Sequence, residues 1–541
     1  MVKRRSNPLV KAALGKSYIS APTDAKAKSI DENLDSLIAE LPPETEKSSC
    51  SSGKGVVSDA IDEMKIAGFP LTEEQKIAVR LALKNESLKI SAFAGAGKTS
   101  TLKAISEAKP QQRGLYLAFN RSIADEAGRE FPNSVSCRTA HSLAYGPIGS
   151  EYAKAGRLRS NINGSFIVKE LSLGGGVGGA GIAAISSLAM QTVTKFCQGG
   201  SDKISTKDCP WSELFKIENE HERKAVAEEV LRIAKELWKL MNNKRSKFPI
   251  THDVYLKIWA LTKPTLHYDY ILFDEAQDAN GVMLSIVENQ ASQKIYVGDK
   301  YQQIYSWRGA VNAMSTIETE HECVITQSFR FGEAVADVAN HILSEYLFCS
   351  TPLIGFEKVN STVINGKSSN EPDVYICRTN ALLISSLQGY IGQGKVVYVE
   401  GGVRSHIELI KAIEQFRKKK KSNHPELMLF QTYQDFLDFI EDDNAAGELK
   451  VLYRLIKSVG YRELIELLEA CLDVDEADAD ITLTTAHKSK GREWDNVLLG
   501  SDFRMPKAAG GEFNSEELNL LYVAVTRAKK VLDISETDLL K

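Results

Sequence analysis

Leu88-Lys89-Ile90-Ser91-Ala92-Phe93-Ala94-Gly95-Ala96-Gly97-Lys98-Thr99 reads as a buried strand that runs into a phosphate loop. Leu88, Ile90 and Ala92 suit an extended apolar segment, and Ala94 to Thr99 is built from small residues ending in Lys and Thr, where a helix is predicted to begin. Small side chains let backbone N–H groups close around phosphate oxygens, and the helix N-terminus adds positive potential. Lys98 then reaches the β- and γ-phosphates and the Thr99 hydroxyl takes Mg²⁺. Gly95, Ala96, Gly97 and Ser100 complete this expected cradle. The pattern G-x-x-x-x-G-K-[ST] asks for Gly where this chain has Ala92, so a Gly/Ala-rich turn with an unrelated lysine is the competing reading.

The next informative stretch lies far downstream. Tyr268 to Phe273 is an apolar strand that delivers Asp274-Glu275-Ala276-Gln277-Asp278. Carboxylates ending a buried strand beside a phosphate loop have a use: Asp274 can hold Mg²⁺ and Glu275 can orient or deprotonate an attacking water. A second such strand, Lys294 to Gly298, leads into Asp299 to Gly309; there Tyr305 and Trp307 are either core aromatics or platforms for stacked bases.

Around these anchors the chain alternates strand, loop and helix. Thr72 caps a predicted helix, with Gln75 either closing the capping box or reading an adenine edge. Gly114 to Phe119 reads as a strand, Asn120-Arg121-Ser122 leads into a helix through Phe131, and Thr139 to Ser142 is a polar loop. Such alternation predicts a parallel sheet whose strand ends carry ligand loops. Between about 146 and 265 the alternation stops. Leu173 to Gly181 is too glycine-dense for an element interior and is expected to be a mobile loop, helical periodicity runs from Glu218 to Met241, and Lys244-Arg245-Ser246-Lys247 is either solvated or a phosphate contact.

In the second half, strands are predicted at 373–378, 395–399, 481–485 and 496–499, with helices at 332–347 and 516–530, so a second α/β domain is expected. A helix-rich stretch from about 402 to 475 contains Arg417-Lys418-Lys419-Lys420-Lys421, whose readings are a solvated loop, a duplex-phosphate contact or a nuclear signal.

A chain of 541 residues with 43% hydrophobic content is expected to form two or more domains. The net charge of −4 argues against an overall basic coat, although 67 Lys and Arg leave room for a local basic groove. The eight cysteines show no C-x-x-C pair and no zinc spacing, which suits reduced thiols. No apolar run is long enough to cross a bilayer, so a soluble intracellular protein is expected, without a membrane partner. Residues 1 to about 68 mix Ser, Lys, Glu and Pro and are expected to be a tail or linker.

The ordered series LTEEQ (71–75), AGAGKT (94–99), LYLAFNRSIADEA (115–127), TAHSLA (139–144), ITHDVYLKIW (250–259), FDEAQD (273–278), VGDKYQQIYSWRGAVNAM (297–314), QSFRFG (327–332), TTAHKSKGREWDNVLL (484–499) and ELNLLYVAVTRAKK (517–530) resembles the UvrD/Rep-type superfamily 1 DNA helicases, above all their F-box DNA helicase branch. The resemblance implies an α/β fold of two RecA-like P-loop NTPase domains with helical insertions. The first would occupy 69–145 and 266–330, interrupted by an insertion at 146–265; the second 331–401 and 476–541, interrupted by a short insertion at 402–475.

It also implies site residues. Gln75 would contact adenine, Lys98, Thr99, Asp274 and Glu275 would bind and hydrolyse MgATP, and Gln302 would sense the γ-phosphate. Arg330 and Arg527 would reach the transferred phosphoryl from the two sides of an interdomain cleft, and Glu493 would accept the ribose hydroxyl. Phe119, Asn120, His141, Tyr305, Trp307, Arg308 and His487 fall where the family contacts single-stranded DNA. The implied activity is ATP-dependent 3′ to 5′ tracking on single strands and unwinding of DNA forks, in repair, recombination or genome defence, with recombinase filaments as a further target. A DNA-stimulated ATPase switch and an RNA helicase are the alternatives. Residues before 69 show no convincing F-box, so a ubiquitin-ligase role is not expected, and no nuclease motif follows Thr526.

Overall fold

A computed structural model describes residues 61–66, 68–306, 309–367, 371–419, 422, 424, 426–427, 430, 432–441, 447–503 and 515–540. Trp307, Arg308, Cys50, Lys420, Lys421 and nearly all of the expected tail lie outside these residues. Ile61 and Ile66, within the stretch expected to be tail, are buried against the core, so folded chain begins before residue 69.

The first sheet has six parallel strands: β1 (Leu88–Ala92), β2 (Gly114–Ala118), β3 (Val135–Thr139), β4 (Tyr270–Phe273), β5 (Gln293–Gly298) and β6 (His321–Ile325), in the order β3-β2-β4-β5-β1-β6. Both faces are covered, and the strand period of two shows which residue faces which layer. Leu115, Leu117, Ile271 and Phe273 belong to one core cluster, while their neighbours Tyr116, Ala118, Tyr270 and Leu272 belong to another.

The flanking helices are α1 (Glu73–Ala82), α2 (Lys98–Glu107), α3 (Arg121–Glu130) and the short α4 (Ala140–Ala144). Thr139 to Ser142 is therefore not a loop: Thr139 ends β3 and caps α4 in a closed capping box with Ser142. Its Ser/Thr pattern encodes the cap, and the same polar residues also suit a loop. The inserted segment is helical. Its main helices α5 (Ile182–Gln198), α6 (Glu220–Asn242) and α7 (His252–Leu261) pack together on the Leu115/Phe273 face. The glycine stretch forms a turn closed between Val177 and Ala180, and Gly178 packs so tightly on α6 that a Cβ there would stand 2.7 Å from the Glu222 carbonyl oxygen. In the basic run that follows, Lys244 pairs with Glu151 at 2.7 Å.

After α8 (Glu333–Glu345) comes the second six-stranded parallel sheet. It comprises β7 (Thr362–Ile364), β8 (Val374–Cys377), β9 (Val397–Val399), β10 (Ile481–Thr485), β11 (Trp494–Leu499) and β12 (Ala528–Asp533), ordered β9-β10-β8-β11-β12-β7. The described residues of the 402–475 stretch include four helices. There Lys418 bonds Glu414 and Arg417 lies over the Tyr461 ring at 5.1 Å.

The helix expected over 516–530 is shorter. α9 spans Ser515–Val525, and Ala528 begins β12. Thr526 turns its hydroxyl back onto the Tyr522 and Val523 carbonyls, and the Arg527 Nε–H donates to the Val523 carbonyl, so the helix end is closed by the two residues that leave it. No described helix is long and apolar enough to cross a membrane.

Candidate active site

The phosphate loop follows β1 and delivers α2. Gly95 and Gly97 both take left-handed backbone (φ +73° and +74°), which only glycine adopts without strain. A Cβ on Gly95 would collide with Ser328 Oγ and stand 2.8 Å from Arg330 Cβ, and one on Gly97 would stand 3.1 Å from Gln75 Nε2. Ala92 needs no such freedom, because it is the last extended residue of β1, paired with Ile325. Among the described residues no side chain caps the N-terminus of α2, which leaves its first-turn N–H groups facing the loop. Gln75 does close the capping box with Thr72, and its Nε2 also donates to Thr101 Oγ1 at 3.2 Å.

The acidic side is built by β4. Asp274 is buried, accepts from the Tyr116 hydroxyl, and takes the Glu275 N–H at 2.8 Å. Glu275 itself sits at φ +49°, a strained conformation for a non-glycine residue that aims its carboxylate back toward Lys98, whose Nζ is 3.9 Å away. Burial and the Glu275 charge raise the Asp274 carboxyl above its usual range. Burial alone would do the same to Glu275, but Lys98 and Lys490 outweigh it and hold that carboxyl low. The pair is thus split, with Glu275 the more readily ionised.

A cleft of about 470 Å³ joins these groups to the second sheet, lined by Lys98, Thr99, Ser100, Glu275 and Gln302 on one side and Lys490, Glu493 and Arg527 on the other. The sheets contribute in opposite senses. The first offers the carboxyl ends of its strands; the second offers the residues just before β11 and β12. Arg330 follows β6 and crosses the cleft, its Nε–H donating to Glu493 Oε2 at 2.6 Å and its Nη1 to the Thr526 carbonyl at 3.0 Å. Arg527 is buried, with N–H groups on the carbonyls of Val523 and Arg492 and on Thr526 Oγ1. Burial and the neighbouring Arg330 push its guanidinium down to about 9, opposed by Glu275.

The residues expected along a single strand are only partly gathered there. Phe119, Asn120 and Tyr305 line the same cleft, with the Phe119 and Tyr305 rings stacked at 6.0 Å and 8°. Asn120 caps α3 by accepting the Ile123 N–H. The Tyr305 hydroxyl bonds the His487 carbonyl at 3.2 Å. His141 stands apart, at the start of α4, with Nε2 3.1 Å from Asp253 of α7.

Both halves of this arrangement match known sequences. The UvrD/REP helicase N-terminal domain family matches residues 71–321, and the UvrD-like helicase C-terminal domain family matches residues 201–538. The chain belongs to the UvrD-like helicase family. It is 33% identical over 534 residues to F-box DNA helicase 1 of Gallus gallus, covering 89% of this chain and 50% of that protein. With F-box DNA helicase protein 1 of Schizosaccharomyces pombe it shares 31% over 538 residues, 89% of this chain and 59% of the relative. A probable DNA helicase II homolog of Mycoplasma pneumoniae is 27% identical over 250 residues, 44% of this chain and 31% of that one. The chain thus spans about half the length of the first two relatives.

For a member of the UvrD-like helicase family, three cleft groups and one residue behind them escaped the reading of the sequence. Lys490 donates to both Asp278 Oδ2 and the Gln302 carbonyl, tying the two sheets together. Asp278, pushed up to about 6 by burial against the pull of Lys490, is the other half of that clamp. Phe329 presents its ring beside Gly97 and its N–H to the Gly95 carbonyl. Asp299 holds the Gln302 amide at 2.8 Å. Each lies within three residues of a group that the motif pattern did single out, but only the fold brings it to the cleft or to a cleft residue.

Proposed function

We propose that this chain is an ATP-dependent DNA helicase whose cleft binds and hydrolyses MgATP and whose two RecA-like domains, each interrupted by its helical insertion, grip a single strand in turn. One observation carries the reading: Lys98, Glu275, Gln302, Arg330 and Arg527, drawn from five separate stretches of sequence, line a single cleft. The left-handed glycines and the uncapped start of α2 suit a triphosphate, with Lys98 on its outer phosphates, while Thr99 and Asp274 can hold Mg²⁺. When bound, the ion neutralises charge on the phosphates.

Glu275, kept ionised beside Lys98, takes the proton of the attacking water. Gln302, fixed by Asp299, orients that water. Arg330 and Arg527 supply charge to the transferred group from the two sides of the cleft, so full turnover needs the cleft closed. Gln75 and Phe329 flank the loop where a base would lie, with Glu493 near the ribose. Phe119 and Tyr305 would stack on bases of any sequence, which suits stepping along a strand, with His141 and His487 as further contacts and Trp307 and Arg308, outside the described residues, assigned to the same strand by the family resemblance alone.

Lys98→Ala or Glu275→Gln should abolish DNA-stimulated ATP turnover while thermal melting stays unchanged; normal turnover in either variant defeats the assignment. Displacement of a strand from DNA forks, dependent on ATP and entered from a 3′ tail, is the expected activity. Turnover without displacement would instead mark an ATPase switch, and preference for RNA forks an RNA helicase. The same motor should shorten recombinase filaments.

A further inference from the structure

Helix α9 buries every side chain from Leu518 to Val525, so the polar ones among them need partners. They find them across the cleft. Asn519 Nδ2 donates to the Gln303 carbonyl at 2.9 Å and the Tyr522 hydroxyl donates to Asp299 Oδ2 at 3.1 Å, while one turn earlier, outside that buried run, the half-buried Glu516 accepts from the Ser306 N–H at 3.3 Å. Spaced three residues apart, these groups share one helix face, and that face meets the loop after β5.

Tyr522 does more than bridge. Its hydroxyl also accepts the Ala94 N–H at 3.2 Å, at the first residue of the phosphate loop. Asp299 in turn holds the Gln302 side chain, takes the Tyr301 N–H at 3.0 Å, and donates its own N–H to Gln277 Oε1 at 3.1 Å. The amide of Gln277 donates to Glu275. A continuous hydrogen-bonded path therefore runs from the phosphate loop through Tyr522 and Asp299 to both Gln302 and Glu275, and its hinge is supplied by the second sheet's helix. Burial keeps the proton on the Tyr522 hydroxyl, so it remains the donor to Asp299.

We infer that Tyr522 is a positioning residue: docked α9 uses its hydroxyl to set Asp299, and through Asp299 the two groups that handle the attacking water. Hydrolysis is then fast only when α9 is seated. The inference rests on the proposed ATP hydrolysis at this cleft.

Tyr522→Phe removes the hydroxyl and keeps the ring that packs edge-on to Tyr301. Leaving Asp299 and the Ala94 N–H without their buried partner should lower kcat for DNA-stimulated ATP turnover by about tenfold or more, with KM for ATP within about twofold. In a Gln302→Ala background the same change should cost clearly less than it does alone, because only the branch through Gln277 to Glu275 then remains. A purely structural role would move KM, or would add to the Gln302 loss. Unchanged kcat, a rise in KM alone, or additive losses overturn the inference. Should the Phe variant fail to melt cooperatively, Asp299→Asn replaces it, with the same kcat-only pattern expected and the same outcomes against it. Lys98→Ala run alongside separates the two levels: if it abolishes turnover while Tyr522→Phe changes nothing, this inference alone fails.

Discussion

Replacing Lys490 with Met tests whether the closed cleft is held by a buried charge pair. Lys490 and Asp278 face each other with side chains only 9% and 2% exposed, and the ammonium also bonds the Gln302 carbonyl and lies 5.2 Å from the Tyr305 ring. Met keeps the length and apolar stem but leaves the Asp278 carboxylate buried, with Oδ1 already lacking a partner among the described residues. Breaking one side of such a pair costs about 3–5 kcal/mol when the remaining charge cannot escape. Here it can escape by protonation. With the Asp278 carboxyl already at about 6, taking up a proton costs about 2.7 kcal/mol at pH 8 and about 0.7 kcal/mol at pH 6.5. These figures bound the electrostatic loss. Urea unfolding of Lys490→Met should therefore show a deficit of up to about 3 kcal/mol at pH 8 that shrinks below about 1 kcal/mol at pH 6.5. Adding Asp278→Asn should recover most of the deficit at pH 8, because no charge remains to bury. A deficit that does not change with pH, or no recovery in the double variant, refutes the reasoning.

Two further outcomes follow from the same cleft. Gly95→Ala combines left-handed strain of about 1–2 kcal/mol with a Cβ driven against Ser328 and Arg330, so its melting temperature and ATP turnover should both fall, whereas wild-type values in both would show that the loop and the 328–330 segment are not packed as described. The raised Asp278 carboxyl means that the folded state binds this proton more tightly than the unfolded chain. Its contribution, roughly 3 kcal/mol, is full below about pH 4 and lost as pH rises through about 6, so Asp278→Asn should flatten that part of the stability–pH profile, and an unchanged profile counts against the shift.

What could be read from the sequence was whatever local pattern encodes. β1 and β10 fall on their predicted ranges, because apolar strands bounded by loop residues announce themselves, and α1 starts where its Thr72/Gln75 box places it. The end of α9 was hidden, since Val525-Thr526-Arg527-Ala528 continues a helical pattern and only the Thr526 and Arg527 bonds back to α9 stop it. β3 was missed because Val135-Ser136-Cys137-Arg138-Thr139 is a sheet edge with little apolar content. Within the site, Lys98, Asp274 and Glu275 are legible because phosphate and magnesium chemistry demands those types at strand ends. Lys490, Asp299 and Tyr522 act by meeting partners more than 180 residues away in sequence, and no spacing rule reports such a meeting.

The central claim is that groups gathered from separate stretches of the chain act on one nucleotide in the cleft, and Arg330→Ala tests it most directly. Arg330 now bonds Glu493 and the Thr526 carbonyl across the cleft, and as the charge donor to the transferred phosphoryl its loss should lower DNA-stimulated ATP hydrolysis by about 10³-fold or more while leaving nucleotide binding within a few-fold. Hydrolysis near the wild-type rate in that variant would contradict the account.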